Sequence, residues 1–337
     1  MSLRKFRPEL RLLPLFILLL GMSTSCHEII GEIKDELDKK QSKPLPETVT
    51  IDQAALYPEG VEFYEKGKFF LVSSLTQGTI GRVSENRAYQ PYIEDDDFVS
   101  TIGIHIDDPT DRLLICNSNP NTAELAELIV YQLPQRKELF TVTLSELFAP
   151  DQPHFANDVT TDEAGNAYVT DSFSPYIYKV DREGNAEVFF FDEAFATGAG
   201  NFGFNGIDYH PDGYLIVAFS ATNSLYKIPV DDPAAITEIG LDTELAGPDG
   251  LYLSEDNETL IVVNNAGGVA PGKVLALESD NEWLSAELEG EFITGETFPT
   301  TAVQRQDKFY VLYAYLNVLF TPGGAPQEEY RIQKVNF

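Results

Sequence analysis

One pattern recurs six times along the chain, and it leaves few folds open. The segments are YPEGVEFYEKGKFFLVSS, STIGIHIDDPTDRLLICNS, FANDVTTDEAGNAYVTDS, FNGIDYHPDGYLIVAFS, PDGLYLSEDNETLIVVNN and FPTTAVQRQDKFYVLYAY. Each reads as a small or polar pair, an alternating strand, a tight turn, a strongly apolar strand and a polar loop. Anchored on Glu59, Gly103, Asn157, Asn205, Asp249 and Thr300, the steps are 44, 54, 48, 44 and 51 residues. Four-stranded propeller blades run roughly 40–50 residues, so six such units predict an all-β, six-bladed propeller. The last unit lacks room for four strands after RIQKVNF, and ETVTID at 47–52 is predicted to supply its outer strand. That pairing closes the ring and removes both sheet edges. A pair of β-sandwiches is the other all-β arrangement, but it does not account for six phased repeats. No long amphipathic helix is visible after residue 48; ELAEL at 124–128 and TLSELF at 143–148 reach at most short helical turns.

The first 25 residues are of another kind. Arg4, Lys5, Arg7 and Arg11 precede the apolar run LLPLFILLLG, and small residues then lead to Cys26. Basic head, short apolar centre and small-residue exit predict a signal peptide over 1–25, with a retained membrane helix as the alternative. STSC resembles a relaxed bacterial lipobox with Ser23 where Leu is common, which makes Cys26 the predicted site of lipidation. Cys116 would then be the one free thiol, in keeping with an exported protein that lacks a disulfide framework; a Cys26–Cys116 bridge is the alternative. Residues 26–46 read as a lipid-anchored tether, in which EIIGEIKDELDKK could form one amphipathic helix or remain a spacer, and the propeller is predicted over 47–337. The chain is expected in the cell envelope or at the cell surface.

Charge narrows the partners. The chain carries 23 basic and 54 acidic residues for a net −31, and loss of residues 1–25 would take it to −34. Such a surface repels nucleic acid and anionic lipid, leaving the lipid anchor as the only predicted tie to a membrane. A small molecule is the expected partner.

In a propeller the innermost strands begin on one face and converge on a central channel. The residues that open them therefore point at a common centre. Glu59, Asn157, Asn205 and Asp249 hold that phase, and together they make an all-oxygen set of two carboxylates and two amide carbonyls. Hard oxygen donors with water completing the shell suit Ca²⁺, and no Cys or His stands in the set to favour zinc. Asn-Gly and Asp-Gly are also common turn dipeptides, so FNGI or PDGL alone reads equally as a turn. Recurrence at one phase in four of six repeats is what favours a ligand set.

Loops after the second strand of each repeat should rim the same face: SSLTQG, NSNPNT, DSFSP, SATN, NNAGG and YLN. Asn117, Asp171 and Asn264 head three of these loops and are predicted substrate contacts, with Phe173, Phe202, Phe204 and Tyr315 interspersed. That mixture suits a small oxygen-rich substrate with an apolar portion. His154, three residues before Asn157, is predicted to reach the rim, whereas His105 is expected to pack or face solvent.

The motifs YPEGVEF, VSTIGIHIDDPTDRLLI, ANDVTTDEAGNAYVTDS, NGIDYHPDGYLIV, PDGLYL and FPTTAV resemble the regucalcin, gluconolactonase and paraoxonase-like calcium-dependent hydrolases. The resemblance covers nearly all of residues 48–320 and is closest to strictosidine-synthase-like members and the calcium-dependent phosphotriesterase superfamily. It implies that Glu59, Asn157, Asn205 and Asp249 hold a catalytic calcium, and that Asp249 is also the base or nucleophile. A lactone, an ester or a phosphotriester is the implied substrate. Two alternatives stay open: a non-catalytic propeller lipoprotein that binds a sugar or protein around a structural calcium, and a strictosidine-synthase-like condensing enzyme.

Overall fold

The computed structural model describes residues 45–84, 89–147, 149–197 and 201–337. The predicted signal peptide, Cys26 and all but the end of the tether lie outside the described residues. Glu47–Phe337 forms one compact unit.

Six antiparallel sheets make a six-bladed propeller, each blade running from an inner to an outer strand. Blade 1 is β2 (Val61–Tyr64), β3 (Phe69–Val72), β4 (Thr79–Val83) and β5 (Tyr89–Glu94). Blade 2 is β6 (Thr101–Asp107), β7 (Arg112–Ser118), β8 (Ala126–Gln132) and β9 (Lys137–Thr143). Blade 3 is β10 (Ala156–Thr161), β11 (Ala167–Asp171), β12 (Tyr176–Val180) and β13 (Ala186–Phe191). Blade 4 is β14 (Phe204–His210), β15 (Tyr214–Phe219), β16 (Ser224–Pro229) and the two-residue β17 (Thr237–Glu238). Blade 5 is β19 (Pro248–Leu253), β20 (Thr259–Asn264), β21 (Gly272–Glu278) and β22 (Ser285–Gly295), with β18 (Gly240–Leu241) added parallel to β22. Blade 6 is β23 (Pro299–Arg305), β24 (Lys308–Tyr313) and β25 (Tyr330–Lys334), completed by β1 (Thr48–Ile51) from the start of the described chain. Thr48 pairs with Gln333 and Ile51 with Tyr330, so ETVTID takes the expected outer place.

The second strands are apolar through their middles because both faces are covered. Leu113, Ile115, Leu215, Val217, Ile261 and Val263 point one way and their alternates the other, each face packing on a neighbouring blade. Burial falls off toward the rim of blade 2: its third strand AELIVYQ is almost wholly buried, whereas its outermost strand KELFTVT is exposed or half-buried along its length. ELAEL does not form a helical turn: it runs into β8, whose β-branched and aromatic IVY segment decides in favour of strand. TLSELF does hold a short 3₁₀ turn at Leu144–Glu146.

The six inner strands touch in cyclic order, β2, β6, β10, β14, β19, β23 and back to β2. They enclose the channel, and every inner strand starts on the same face.

Candidate functional site

Asn157, Asn205 and Asp249 occupy one structural position, a β-bulge near the head of the inner strand. Pairing steps from Ala156↔Asp171 to Val159↔Val169, from Phe204↔Phe219 to Ile207↔Val217, and from Pro248↔Asn264 to Leu251↔Val262. The inner strand therefore carries one residue more than its partner there, and the bulge re-aims the side chain toward the axis. The Asn-Gly and Asp-Gly dipeptides are not turns, since they lie inside β14 and β19. Their glycines serve close approach instead: a Cβ at Gly206 would stand 2.3 Å from the Asp249 carbonyl oxygen.

The same bulge falls on Ile102–Gly103 in β6 and on Thr300–Thr301 in β23. This corrects the anchor of the second repeat. Ile102 holds the ring position, and Gly103 is the counterpart of Gly206, its absent Cβ lying 2.4 Å from the Asn157 carbonyl oxygen. The ring thus reads Glu59, Ile102, Asn157, Asn205, Asp249 and Thr300. Its four predicted ligands are only 3–7% exposed.

Each side chain is held from behind. Asn157 Nδ2 donates to Ser172 Oγ at 2.7 Å and Asn205 Nδ2 to Ser220 Oγ at 3.1 Å. Both serines donate in turn to carbonyls of the next blade, at Phe204 and Pro248. In blade 5 Asn265 stands where those serines stand, and its Nδ2 donates to Asp249 Oδ2 at 2.6 Å. Glu59 is fixed by its backbone: Ser73 Oγ accepts from Glu59 N, while Thr300 and Thr301 donate to the Glu59 carbonyl at 2.7 and 2.8 Å. With the amides gripped by nitrogen, the oxygens are left over. Glu59 Oε2, Asn157 Oδ1 and Asn205 Oδ1 are buried with no hydrogen-bond partner. Buried acceptors are nearly always paired, so three unpaired ones on one ring set this place apart from an ordinary buried polar cluster.

The electrostatics agree. Burial, and then the charges of Asp249 and Asp158, push the Glu59 carboxyl well above its ordinary range. Burial pushes Asp249 up to about 8, against hydrogen bonding from Asn265 and Asn205. Asp158, the second bulge residue of β10, is raised by burial to about 7 although Val159 and Ile207 donate to it. Three buried carboxyls that feel one another resist ionising together.

Three residues further down the inner strands lies a second polar layer, which sequence reasoning missed. Glu62, His105 and Asp208 stand three residues after Glu59, Ile102 and Asn205, and with Asp158, Tyr252 and Thr301 they line a channel cavity of about 180 Å³. His105 neither packs in apolar surroundings nor faces bulk solvent. Its Nδ1 lies 3.3 Å from Glu62 Oε1 and its Nε2 3.1 Å from Thr161 Oγ1. Asp208 accepts from Thr160 Oγ1, Tyr209 N and Leu253 N. The available signal was spacing: with a bulge, same-side residues stand three apart rather than two.

The predicted substrate contacts are placed elsewhere. Asn117, Asp171 and Asn264 are the last or next-to-last residues of their strands and are fully buried. Asn117 Oδ1 accepts from Val99 N, Asn264 Oδ1 from Ala246 N, and Asp171 Oδ1 from the backbone of Phe155, Phe173 and Ser174. They bracket the loop descending into each inner strand, and those bonds occupy their side chains. His154 is likewise fully buried, with Nδ1 2.7 Å from Asp171 Oδ2 and Nε2 3.1 Å from the Ala149 carbonyl. The neighbouring Ser172, Ser220 and Asn265 are the residues that reach the ring. A small polar residue recurring at or just past the end of the second strand (Ser118, Ser172, Ser220, Asn265) is the legible sign of them.

No protein-family model and no curated protein matches the sequence. Solved structures do match the fold. The major Malassezia sympodialis allergen Mala s 1 superposes with a TM-score of 0.70 at 17% identity, over 87% of this chain and 97% of that one. A gluconolactonase from Xanthomonas campestris gives 0.56 at 14%, over 86% and 89%. Virginiamycin B lyase from Staphylococcus aureus gives 0.54 at 12%, over 86% and 98%. At these identities the likeness to the gluconolactonase, the lyase and the allergen is one of fold alone.

Proposed function

We propose that the ring holds a calcium ion and that the chain is an exported, Cys26-lipidated, calcium-dependent hydrolase acting on a lactone or ester, with a phosphotriester as the other candidate. The observation that carries this reading is the set of three unpartnered buried oxygens, Glu59 Oε2, Asn157 Oδ1 and Asn205 Oδ1, beside the Asp249 carboxylate. The donor set fits a hard cation: four protein oxygens, two of them charged, with room for the rest of a six- to eightfold shell from water or substrate. Bound there, Ca²⁺ would supply Lewis-acid polarisation of a substrate carbonyl or phosphoryl oxygen.

The chain's own residues do the rest. Asn265 fixes Asp249 through Oδ2, leaving the other oxygen to take a proton from a water or to attack the acyl centre. Ser172 and Ser220 hold the asparagine carbonyls in place before any ligand arrives, so no reorganisation is needed on binding. Phe155, Phe173 and Phe202 cluster with ring centroids 5.0–5.8 Å apart beside the Ser172 end of blade 3, offering an apolar wall for the non-reacting part of a substrate.

The burial of the ring favours a second reading, a binding module with a structural ion, since side chains only 3–7% exposed leave little room for a reacting centre. A panel of lactones, aryl esters and phosphotriesters, assayed with calcium and with chelator, separates the two. Chelator-sensitive turnover supports the hydrolase. Tight calcium binding without turnover of any panel member supports the binding module, and absence of calcium binding removes both.

A further inference from the structure

On the face opposite the ring, blades 1 and 2 enclose a groove of about 570 Å³ lined by Tyr64, Lys66, Phe69, Arg82, Pro91, Tyr92, Asp111, Pro134 and Arg136. We infer that it binds a small carboxylate that also carries a hydrogen-bond donor, a hydroxy- or amino-carboxylate, with Arg82 and Arg136 taking the carboxylate and Asp111 the donor.

Charge singles the groove out. Acidic residues outnumber basic ones by more than two to one in this chain, yet three cations line this one groove. Two arginines outside the groove are answered by acids, Arg112 by Asp107 and Arg331 by Glu329. Arg82 and Arg136 have no carboxylate partner among the described residues. Arg82 gives Nε and Nη2 to the neutral Gln90 Oε1 and lays its guanidinium 5.8 Å from the Phe69 centroid. Arg136 gives Nη1 to the Tyr92 carbonyl at 3.3 Å and lies 5.6 Å from the Tyr92 centroid. Among the described residues no protein acceptor meets Arg82 Nη1 or Arg136 Nε and Nη2, on guanidiniums already oriented by stacking. Stacking alone is common; two acid-free guanidiniums lining one cavity is a geometry that matches a carboxylate.

A second observation sets what else the ligand carries. Asp111 Oδ2 is bonded to Lys66 Nζ at 2.6 Å and the Tyr64 hydroxyl stands beside the carboxylate, but the buried Asp111 Oδ1 has no partner in hydrogen-bond geometry. A bare anion would leave that oxygen unsatisfied, whereas a hydroxyl or ammonium next to the carboxylate would answer it. Phe69, Tyr92, Pro91 and Pro134 supply apolar walls for the carbon skeleton. The volume lies within the usual range for small-molecule sites.

The test is calorimetric titration of the purified chain with gluconate and with phenylalanine, and with glucitol and phenylalaninamide, which lack the carboxylate. Saturable binding of at least one carboxylate, absent for its carboxylate-free counterpart, is expected; gluconate against phenylalanine tells hydroxyl from ammonium. Arg82→Gln and Arg136→Gln should each weaken it by about tenfold or more. Asp111→Asn should weaken it too. Both arginines are exposed, so their variants should keep the parent melting temperature and calcium affinity, which makes loss of ligand binding readable. The inference is overturned if neither carboxylate binds, or if binding survives both arginine substitutions unchanged.

Discussion

The channel carries two polar layers built on the same strands three residues apart, and they are finished to different degrees. In the lower layer Asp208 accepts three hydrogen bonds and His105 and Glu62 answer each other, so its chemistry closes within the protein. In the upper layer the amide nitrogens are bonded and three oxygens are not. Similar residue types at similar depth thus divide into a set whose hydrogen bonds are complete and a set with three unpaired acceptors, where we propose the calcium. What distinguishes a ligand site from a buried polar bracket is the unspent acceptor, not the presence of carboxylates.

The largest expected effect bears on catalysis. Asp249→Asn keeps an oxygen and the volume but removes the charge and the base; with calcium saturating, hydrolysis should fall by about a hundredfold to ten-thousandfold, as read by kcat on a lactone or ester. Full activity in this variant would detach the reaction from the upper layer. Next comes stability. Asp208→Ala strands three donors in the lower layer and should cost several kcal/mol, at about 1–3 kcal/mol for each unsatisfied group, with calcium affinity little changed. Asn157→Ala should do the reverse, lowering calcium affinity with little cost to the calcium-free protein; denaturant titrations with and without chelator measure both. Equal behaviour of the two variants would break the comparison. Calcium itself at a hundred times its Kd should add about 2.7 kcal/mol of stability, a shift of melting temperature that chelation reverses.

The smallest effect is a pH slope in calcium-saturated protein. Burial works against the His105 imidazolium, but the hydrogen bond and charge of Glu62, with Asp208 and Asp107 behind it, raise the His105 pKa above its ordinary value. A raised folded-state pKa means that this stability is present in full below about pH 6.5 and fades as pH climbs through the raised value. His105→Gln should flatten that part of the melting-temperature profile. A slope that persists in the variant would assign it to other groups.

Much of the molecule was legible because blades repeat. The apolar second strands, the tight turns between them and the closing ETVTID strand follow from alternation and phase. Blade 2 was misplaced by one residue because STIGIHI offers no polar side chain at the ring phase, and Gly103 was aligned with its neighbours' ligands rather than with their glycines. Periodicity of two cannot locate a bulge, which adds one residue without marking the sequence. Asn117, Asp171 and Asn264 were read as rim residues because polar groups at strand ends resemble a pocket lining. Their full burial comes from the descending loop, a tertiary partner that no local pattern encodes.

Closure by β1 has a consequence for the order in which the blades can form. Thr48 Oγ1 bonds Gln333 across 285 residues of chain, so the first strand made is the one that waits longest for its mate. Blades 1 to 5 can each form from contiguous sequence as it emerges, while blade 6 must hold three strands unfinished and recruit a fourth from the opposite terminus. The circle is thus sealed in a single late step between the two ends of the domain, and shortening either end by a few residues leaves a six-unit chain without a clasp.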